Sequence, residues 1–476
     1  MRAFARTACG ARRGLRSLLT VLGLLSVLTL AHGAHANGRY PKADQLQIAP
    51  DDPEFLAVRT TFGLLVSRDS GRNWDWICER AVGYSGVQDP TLGLMANGTI
   101  IASLSEGIAR TADRGCNWAF SNAPLSGSPV IDLTVRRDEP SQALALVWDA
   151  QPLGYGSRVL ASEDNGQSFV PYGSSIDPAV LVTTLDVAAT NPHRVYASGT
   201  RSVDGVRSAL LFTSNDDGAH WSEYALPFDP KIEQGVYIAA VDPEDADTVY
   251  LRTSSATVSR LLVSHDGGER VSVVHSGSLL AFALSPDGKQ LYFGGEDGLY
   301  SGPSRAPQFE RRATVRVLCL AATTDTLYAC SDEYSGFTVG ASHDDGFTFE
   351  PLLHLKTVRG PLACSADQCE SDWPLVRAQL GIPAPNESDA GTDAGNAGDA
   401  GEGSSAGSAG AASEGESAGL GGAGGRSTPT RLTAKGSCAV AFDHTSNVCW
   451  SALLFAALGR LSRRRRSRAW SRLPAK

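Results

Sequence analysis

The sequence predicts an all-β fold, a seven-bladed β-propeller, with six to eight blades fitting the arithmetic. Three observations predict it. A pattern of Ser/Thr-x-Asp-x-Gly-x-x-aromatic recurs six times, its Asp residues 44, 51, 52, 50 and 78 positions apart. Between the copies run short period-2 apolar segments bounded by Asp, Asn, Pro and Gly, with no 3.6-residue helical pattern. Four short strands per unit of roughly 40–50 residues is the spacing of propeller blades.

Residues 1–36 read as a secretory signal. Arg2, Arg6, Arg12, Arg13 and Arg16 precede an apolar run, Leu18–Ala31, and the small-x-small site Ala34-His35-Ala36. The run is short for a membrane span, which needs about 20 residues. The expected propeller is residues 37–383.

The repeats follow. They are Ser67-x-Asp69-x-Gly71 to Trp74, Thr111-x-Asp113-x-Gly115 to Trp118, and Ser162-x-Asp164-x-Gly166 to Phe169. Then come Ser214-x-Asp216-x-Gly218 to Trp221, Ser264-x-Asp266-x-Gly268 to Val271, and Ser342-x-Asp344-x-Gly346 to Phe349. The gap of 78 between the last two leaves room for a degenerate copy, Leu299-Tyr300-Ser301 leading to Gln308-Phe309, which makes seven units. Each unit starts with an alternating strand, such as Leu185–Ala189. A turn follows, as at Asn191-Pro192, Asp242-Pro243 or Pro286-Asp287-Gly288. A second strand such as Val195-Tyr196-Ala197, Val249-Tyr250-Leu251 or Leu291-Tyr292-Phe293 comes next, and a third enters the motif. Leu46–Ala57 is expected to complete the last blade. In the motif, Gly supplies a left-handed backbone position and Asp accepts hydrogen bonds from turn N–H groups. The repeated acids therefore read as turn staples.

Nine Cys divide by segment. Cys9 belongs to the signal, and Cys438 and Cys449 lie near the C-terminus. The six in the propeller, Cys78, Cys116, Cys319, Cys330, Cys364 and Cys369, read as disulfide partners in an oxidising compartment. A hairpin around Thr324-Asp325 places Cys319 opposite Cys330. Cys364 and Cys369 are expected to close a small loop, leaving Cys78 to pair with Cys116 across adjacent blades. The alternative for Cys364/Cys369 is zinc, but no second ligand pair accompanies them.

Residues 384–435 read as a linker: from 384 to 425, 30 of 42 residues are Gly, Ala or Ser, seven are acidic and none is basic. Residues 436–476 carry Cys438, a short apolar run Val448–Gly459, and an Arg cluster, Arg460 to Arg472. In that order these features resemble the MYXO-CTERM sorting tails of myxobacterial surface proteins. The resemblance implies a tail that is cut, with Cys438 as the processing site; Cys449 is a second candidate. The alternative is a C-terminal membrane helix with a positive flank. Both place the protein on the envelope surface of a high-GC Gram-negative bacterium.

The repeats themselves resemble the Asp-box (BNR) superfamily, which includes sialidases, xyloglucanase-type glycosidases, sortilin-type domains and photosystem II assembly-factor-like propellers. The resemblance covers about residues 40–360. It implies Asp boxes on the blade rim, away from an axial site, and it implies no single activity.

Glycoside hydrolysis needs two positioned carboxylates, about 5 Å or about 6.5–9.5 Å apart. Only Asp132 and Asp186, in first strands, are candidates to face the channel. The Phe-Arg-Ile-Pro element of sialidases is absent, and Gly38-Arg39-Tyr40-Pro41 is a distant echo of it. No His spacing, nucleophile elbow, P-loop or dinucleotide fingerprint is present, so no catalytic residue, cofactor or metal is expected. Residues 37–383 hold 26 basic and 43 acidic side chains, and the basic surplus sits in the two ends. Such a surface repels polyanions, which excludes nucleic acid. The expectation is an exported, surface-anchored, monomeric, non-catalytic propeller that binds an extracellular protein or glycan and meets the membrane only through its C-terminal tail. The alternative is an extracellular glycoside hydrolase with an axial carboxylate pair. An assembly factor of the photosystem II type is a third reading, disfavoured by the acidic surface.

Overall fold

The computed structural model describes residues 39–384, except 126, 152–153 and 306–307. The signal segment, the linker beyond residue 384 and the tail with Cys438 and Cys449 lie outside the described residues.

Seven four-stranded antiparallel sheets follow one another along the chain, and the chain is a seven-bladed β-propeller. The first strands are Ala43–Ala49, Leu92–Leu94, Val130–Val135, Val180–Ala188, Glu233–Val241, Ala281–Leu284 and Cys319–Ala322. They pack on one another in sequence round the ring, and that of blade 7 packs on that of blade 1. They therefore wall the central channel. Antiparallel alternation puts the first-to-second and third-to-fourth turns on one face, here the turn face. The second-to-third loops and the crossings between blades lie on the other, the crossing face.

The sequence pattern explains the layers. Middle strands are covered by a blade on each side, so they read as continuous apolar runs rather than alternating ones. Leu64, Leu65 and Val66 in blade 1 and Ile100, Ile101 and Ala102 in blade 2 are all fully buried. Fourth strands lie on the outside: Ala119 and Phe120 of blade 2 are exposed. The core is a series of clusters between blades. One holds Tyr196, Leu211, Val241, Val249 and Leu251 between blades 4 and 5. The next holds Tyr250, Leu261, Leu291 and Phe293 between blades 5 and 6. Each such side chain contributes about 1.5–3 kcal/mol on burial. The second-strand tyrosines add polar links to the next blade. Tyr196 donates to the Ala246 carbonyl at 2.7 Å, Tyr250 to the Ser304 carbonyl at 3.3 Å, and Tyr292 to Asp345 at 3.0 Å.

Ring closure differs from the sequence expectation. Leu46–Ala57 does not complete the last blade. It spans the first and second strands of blade 1, and all four strands of every blade are contiguous in sequence. Closure instead comes from a strap that follows blade 7. The strap lies along the outer strand of blade 1, where Trp76 and Pro361 form a parallel bridge. The Trp76 N–H donates to the Gly360 carbonyl at 2.7 Å, and the Leu362 N–H donates to the Trp76 carbonyl at 2.8 Å. Arg359 binds Asp75 at 2.9 Å. Two short helices follow, α1 (Ala366–Cys369) and α2 (Trp373–Gln379). Trp373 packs on Trp76 with ring centroids 5.6 Å apart.

The disulfides fasten this strap. Cys319 is bonded to Cys330 across a hairpin. The pairings of Cys78 with Cys116 and of Cys364 with Cys369 do not occur. Cys78 is bonded to Cys369 and Cys116 to Cys364, over separations of 291 and 248 residues. The strap returns both distal cysteines to the flank of blades 1 and 2, so proximity in the fold overrides proximity in sequence.

Candidate functional site

The six repeated turns all lie on the turn face with one geometry. The Ser or Thr hydroxyl donates to Oδ1 of the Asp two residues on, at 2.7–2.9 Å. The same hydroxyl accepts from the Gly N–H at 2.8–3.1 Å. Oδ1 also accepts the backbone N–H four residues beyond the Asp, at 2.9 Å in each copy. Oδ2 takes a side-chain donor in five copies: Asn73, Asn117, Ser168, His220 and Thr348, at 2.6–2.7 Å. Hydrogen bonds from His220 and Thr348 hold the Asp216 and Asp344 carboxyls down at about 2. These turns require two consecutive left-handed residues: φ is 55° to 71° at the position after the Asp and 73° to 110° at the glycine.

The glycines have a second role that the sequence did not reveal. A Cβ on Gly71 would meet Leu352 of blade 7 at 2.9 Å, one on Gly115 Ile77 of blade 1 at 2.5 Å, and one on Gly166 Ile101 of blade 2 at 2.6 Å. The turn thus seats each blade against the one before it.

Asp132 and Asp186 occupy the channel wall on neighbouring first strands, and both are half-buried. Asp132 accepts the Leu185 N–H of blade 4 at 3.0 Å, and Thr91 of the blade 2 edge and the Leu133 N–H help hold its charge. Asp186 accepts the Thr134 hydroxyl of blade 3 at 3.1 Å and the Val187 N–H at 2.8 Å, and the Val241 N–H of blade 5 helps hold its charge. Each acid thus joins the blade before it to the blade after it. In register, Asp186 faces Tyr196, and the matching residues in blades 5, 6 and 7 are Ala240, Ala283 and Ala321. Burial pushes the Asp132 carboxyl up to about 7, with the nearby Asp186 raising it further. Burial also raises Asp186, opposed by Arg137. Chemically the pair can hold a proton at neutral pH, but its acceptor lone pairs are engaged by backbone and hydroxyl groups.

On the crossing face, blades 6, 7, 1 and 2 meet in a charged cluster that the sequence showed only in part, as Arg39-Tyr40. Arg39 holds Asp89 through two bonds of 2.7 and 3.0 Å. Arg59 binds Asp44 at 2.8 Å and the Pro90 carbonyl at 3.1 Å. Arg316 bridges Glu296, at 2.7 Å, and Asp332, at 3.2 Å. Asp332 caps a 3₁₀ turn that presents Tyr334, whose side chain is 88% exposed. Tyr334 stands beside Tyr40, itself 54% exposed; burial first, then Tyr334, and behind it Asp332 and Glu333, raise the Tyr40 phenol. Nothing in the sequence around Tyr334 marks it, because it sits in a loop between ordinary strands.

Two concavities lie at blade seams on the turn face. A cavity of about 320 Å³ between blades 6 and 7 is lined by Tyr292, Asp325, Thr326, His343 and Asp345. One of about 180 Å³ between blades 5 and 6 is lined by Tyr250, His265, Leu291 and Phe309. Among the described residues no group of three or more His, Cys, Asp or Glu is placed to hold a metal ion. No helix among them is long and apolar enough to cross a membrane.

The fold and site define the class: a seven-bladed β-propeller whose ring is closed by a disulfide-fastened strap. No family model matches the chain, and no curated protein matches it. Solved structures do. YCF48 from Cyanidioschyzon merolae is similar at 12% identity and a TM-score of 0.43, over 61% of this chain and 93% of that one. The Cps50 (Swd1) β-propeller domain of Myceliophteria thermophila is similar at 11% identity and 0.42, over 62% and 95%. The GH74 xyloglucanase from Xanthomonas campestris is similar at 14% identity and 0.31, over 64% of this chain and 63% of that one.

Proposed function

We propose that this is an exported, surface-anchored and non-catalytic propeller of the Asp-box superfamily that binds a neutral glycan or a protein on its crossing face. The observation that carries the reading is the state of the channel acids. Asp132 is held by the Leu185 N–H of blade 4, and Asp186 by the Thr134 hydroxyl of blade 3 and the Val187 N–H, so both acids serve as links between blades rather than as a free base or nucleophile. The exposed Tyr40–Tyr334 pair is the complementary feature, since two phenol rings at the surface suit stacking on sugar rings or on a partner side chain. Surface attachment would come through the tail, with Cys438 as the processing point.

One observation favours the hydrolase reading. A carboxyl held at about 7 beside a second acid has the pKa of a general acid. Against it, burial raises Asp186 as well, whereas the partner in such a pair must stay ionised.

The test is retention and turnover measured together. The oxidised protein is passed over immobilised neutral polysaccharides and extracellular matrix protein, and release of reducing ends is followed for hours. Retention that Tyr334→Ala abolishes, with no release, is expected. Release of reducing ends that disappears in Asp132→Asn would replace this reading with the hydrolase. Mass spectrometry of the surface form tests anchoring, with a C-terminus at or near Cys438 as the expected result.

A further inference from the structure

One register position differs in kind from blade to blade. It lies two residues beyond the second-strand tyrosine and faces a first-strand partner. In blade 4 the pair is Thr184 and Ser198, which share a hydrogen bond of 2.6 Å. In blade 6 it is Ala281 and Gly294, and in blade 7 it is the Cys319–Cys330 disulfide. In blade 5 it is Tyr237 and Arg252.

The Arg252 guanidinium carbon lies 4.9 Å from the centre of the Tyr237 ring. A side chain at Gly235 would come within 3.1 Å of the Tyr237 hydroxyl, so that glycine makes room for the ring on the channel wall. Several other half-buried arginines of this protein are met by carboxylates, and Arg110 by the Asn165 carbonyl. Arg59 has Asp44, Arg158 has Asp149, Arg260 has Glu233, and Arg316 has Glu296 and Asp332. Arg252 has no carboxylate or carbonyl partner among the described residues, and its guanidinium lies against the Tyr237 ring. Burial alone drives its pKa down, yet a guanidinium stays charged at any physiological pH. A half-buried charge without a counter-ion is only partly compensated, and a ring quadrupole is a weak substitute for one.

We propose that Arg252, braced on Tyr237, is the receptor for a carboxylate carried by a ligand that enters the central channel. The planar fork of a guanidinium matches the two oxygens of a carboxylate. The acidic balance of residues 37–383 screens out polyanions at long range, so the fitting ligand carries one acidic group on an otherwise neutral body. This site is separate from the Tyr40–Tyr334 surface and rests only on the channel being open to a ligand.

The full exported protein is titrated at constant ionic strength with D-glucuronate and with sodium acetate. Calorimetry and thermal unfolding are the readouts. Wild type should bind D-glucuronate saturably, with a rise in Tm. Arg252→Gln should lose that response, and its ligand-free Tm should equal or exceed that of wild type, because an uncompensated charge has been removed. Arg252→Lys keeps the charge without the fork and should weaken binding at least tenfold, which also covers a failure of the Gln variant to fold. A response to acetate equal to that of D-glucuronate supports the carboxylate alone as the determinant; a response to D-glucuronate only supports recognition of the sugar as well. An equal response in wild type and Arg252→Gln, or none in wild type, overturns the proposal. So does a lower ligand-free Tm in Arg252→Gln without any carboxylate response, which would make Arg252 a packing residue. Glycan or protein retention on the crossing face should survive all these variants, so failure of either reading is told apart from failure of the other.

Discussion

Removing the two strap disulfides singly and together should give losses of stability that exceed additivity. Cys78–Cys369 and Cys116–Cys364 span 291 and 248 residues. Chain entropy assigns either bridge, alone in an otherwise open chain, about 5.5 kcal/mol. The bridges are not independent. With one in place, the other closes only the chain from Cys78 to Cys116 joined to that from Cys364 to Cys369, a loop of roughly 40 residues worth about 4 kcal/mol. Cys78→Ala/Cys369→Ala and Cys116→Ala/Cys364→Ala should thus each lose about 4 kcal/mol, and the fourfold variant about 1.5 kcal/mol more than their sum. That total is comparable with the whole stability of many domains, so the fourfold variant should populate open forms at 37 °C. Guanidinium chloride unfolding without reductant measures all three against wild type. Losses under about 1 kcal/mol for both pairs, or a fourfold loss smaller than the sum, would refute the idea that the strap closes the ring by limiting chain entropy.

Three further outcomes follow from particular residues. Asp132 is held near 7 when folded and titrates near 4 when unfolded, so stability should fall as pH rises from about 4 to 7, by up to about 1.4 kcal/mol per pH unit; Asp132→Asn should flatten this slope in a pH series of denaturation midpoints, and an unchanged slope would count against the burial of that carboxyl. Gly115→Ala places a Cβ against Ile77 at φ 101° and should cost about 2–4 kcal/mol from strain and overpacking, read as a lowered Tm. The Glu233 side chain is fully buried and grips Arg260 at 2.7 Å, so Glu233→Ala should lose about 3–5 kcal/mol in urea unfolding, whereas an exposed pair such as Lys289–Asp287 should lose almost nothing.

The blade count was legible because each blade except the sixth announces its third-to-fourth turn with Asp and Gly, residues a left-handed turn demands. Even blade 6 was found, from the gap its missing Asp leaves. Closure was not legible. The strap joins blade 1 through backbone groups of Gly360, Trp76 and Leu362, and backbone pairing leaves no trace in side-chain identity. Cys364 and Cys369 stand five residues apart, and spacing alone favours a local loop over partners in blades 1 and 2. Of the channel, Asp132 and Asp186 could be picked out as acids in apolar strands, although their links to the neighbouring blades could not. Tyr237 and Arg252 looked like ordinary strand residues, since only the register reveals that one lies beneath the other. Tyr334 had no signal at all.

The strap also changes what a protease can do to this molecule. Any single cut between residues 117 and 363 leaves two pieces still joined through Cys116–Cys364 and Cys78–Cys369. Propeller loops on the crossing face are the natural places for such cuts. A nicked molecule would therefore keep all its blades and migrate as one species until thiols are reduced. Damage to a loop becomes a scar rather than the loss of a fragment.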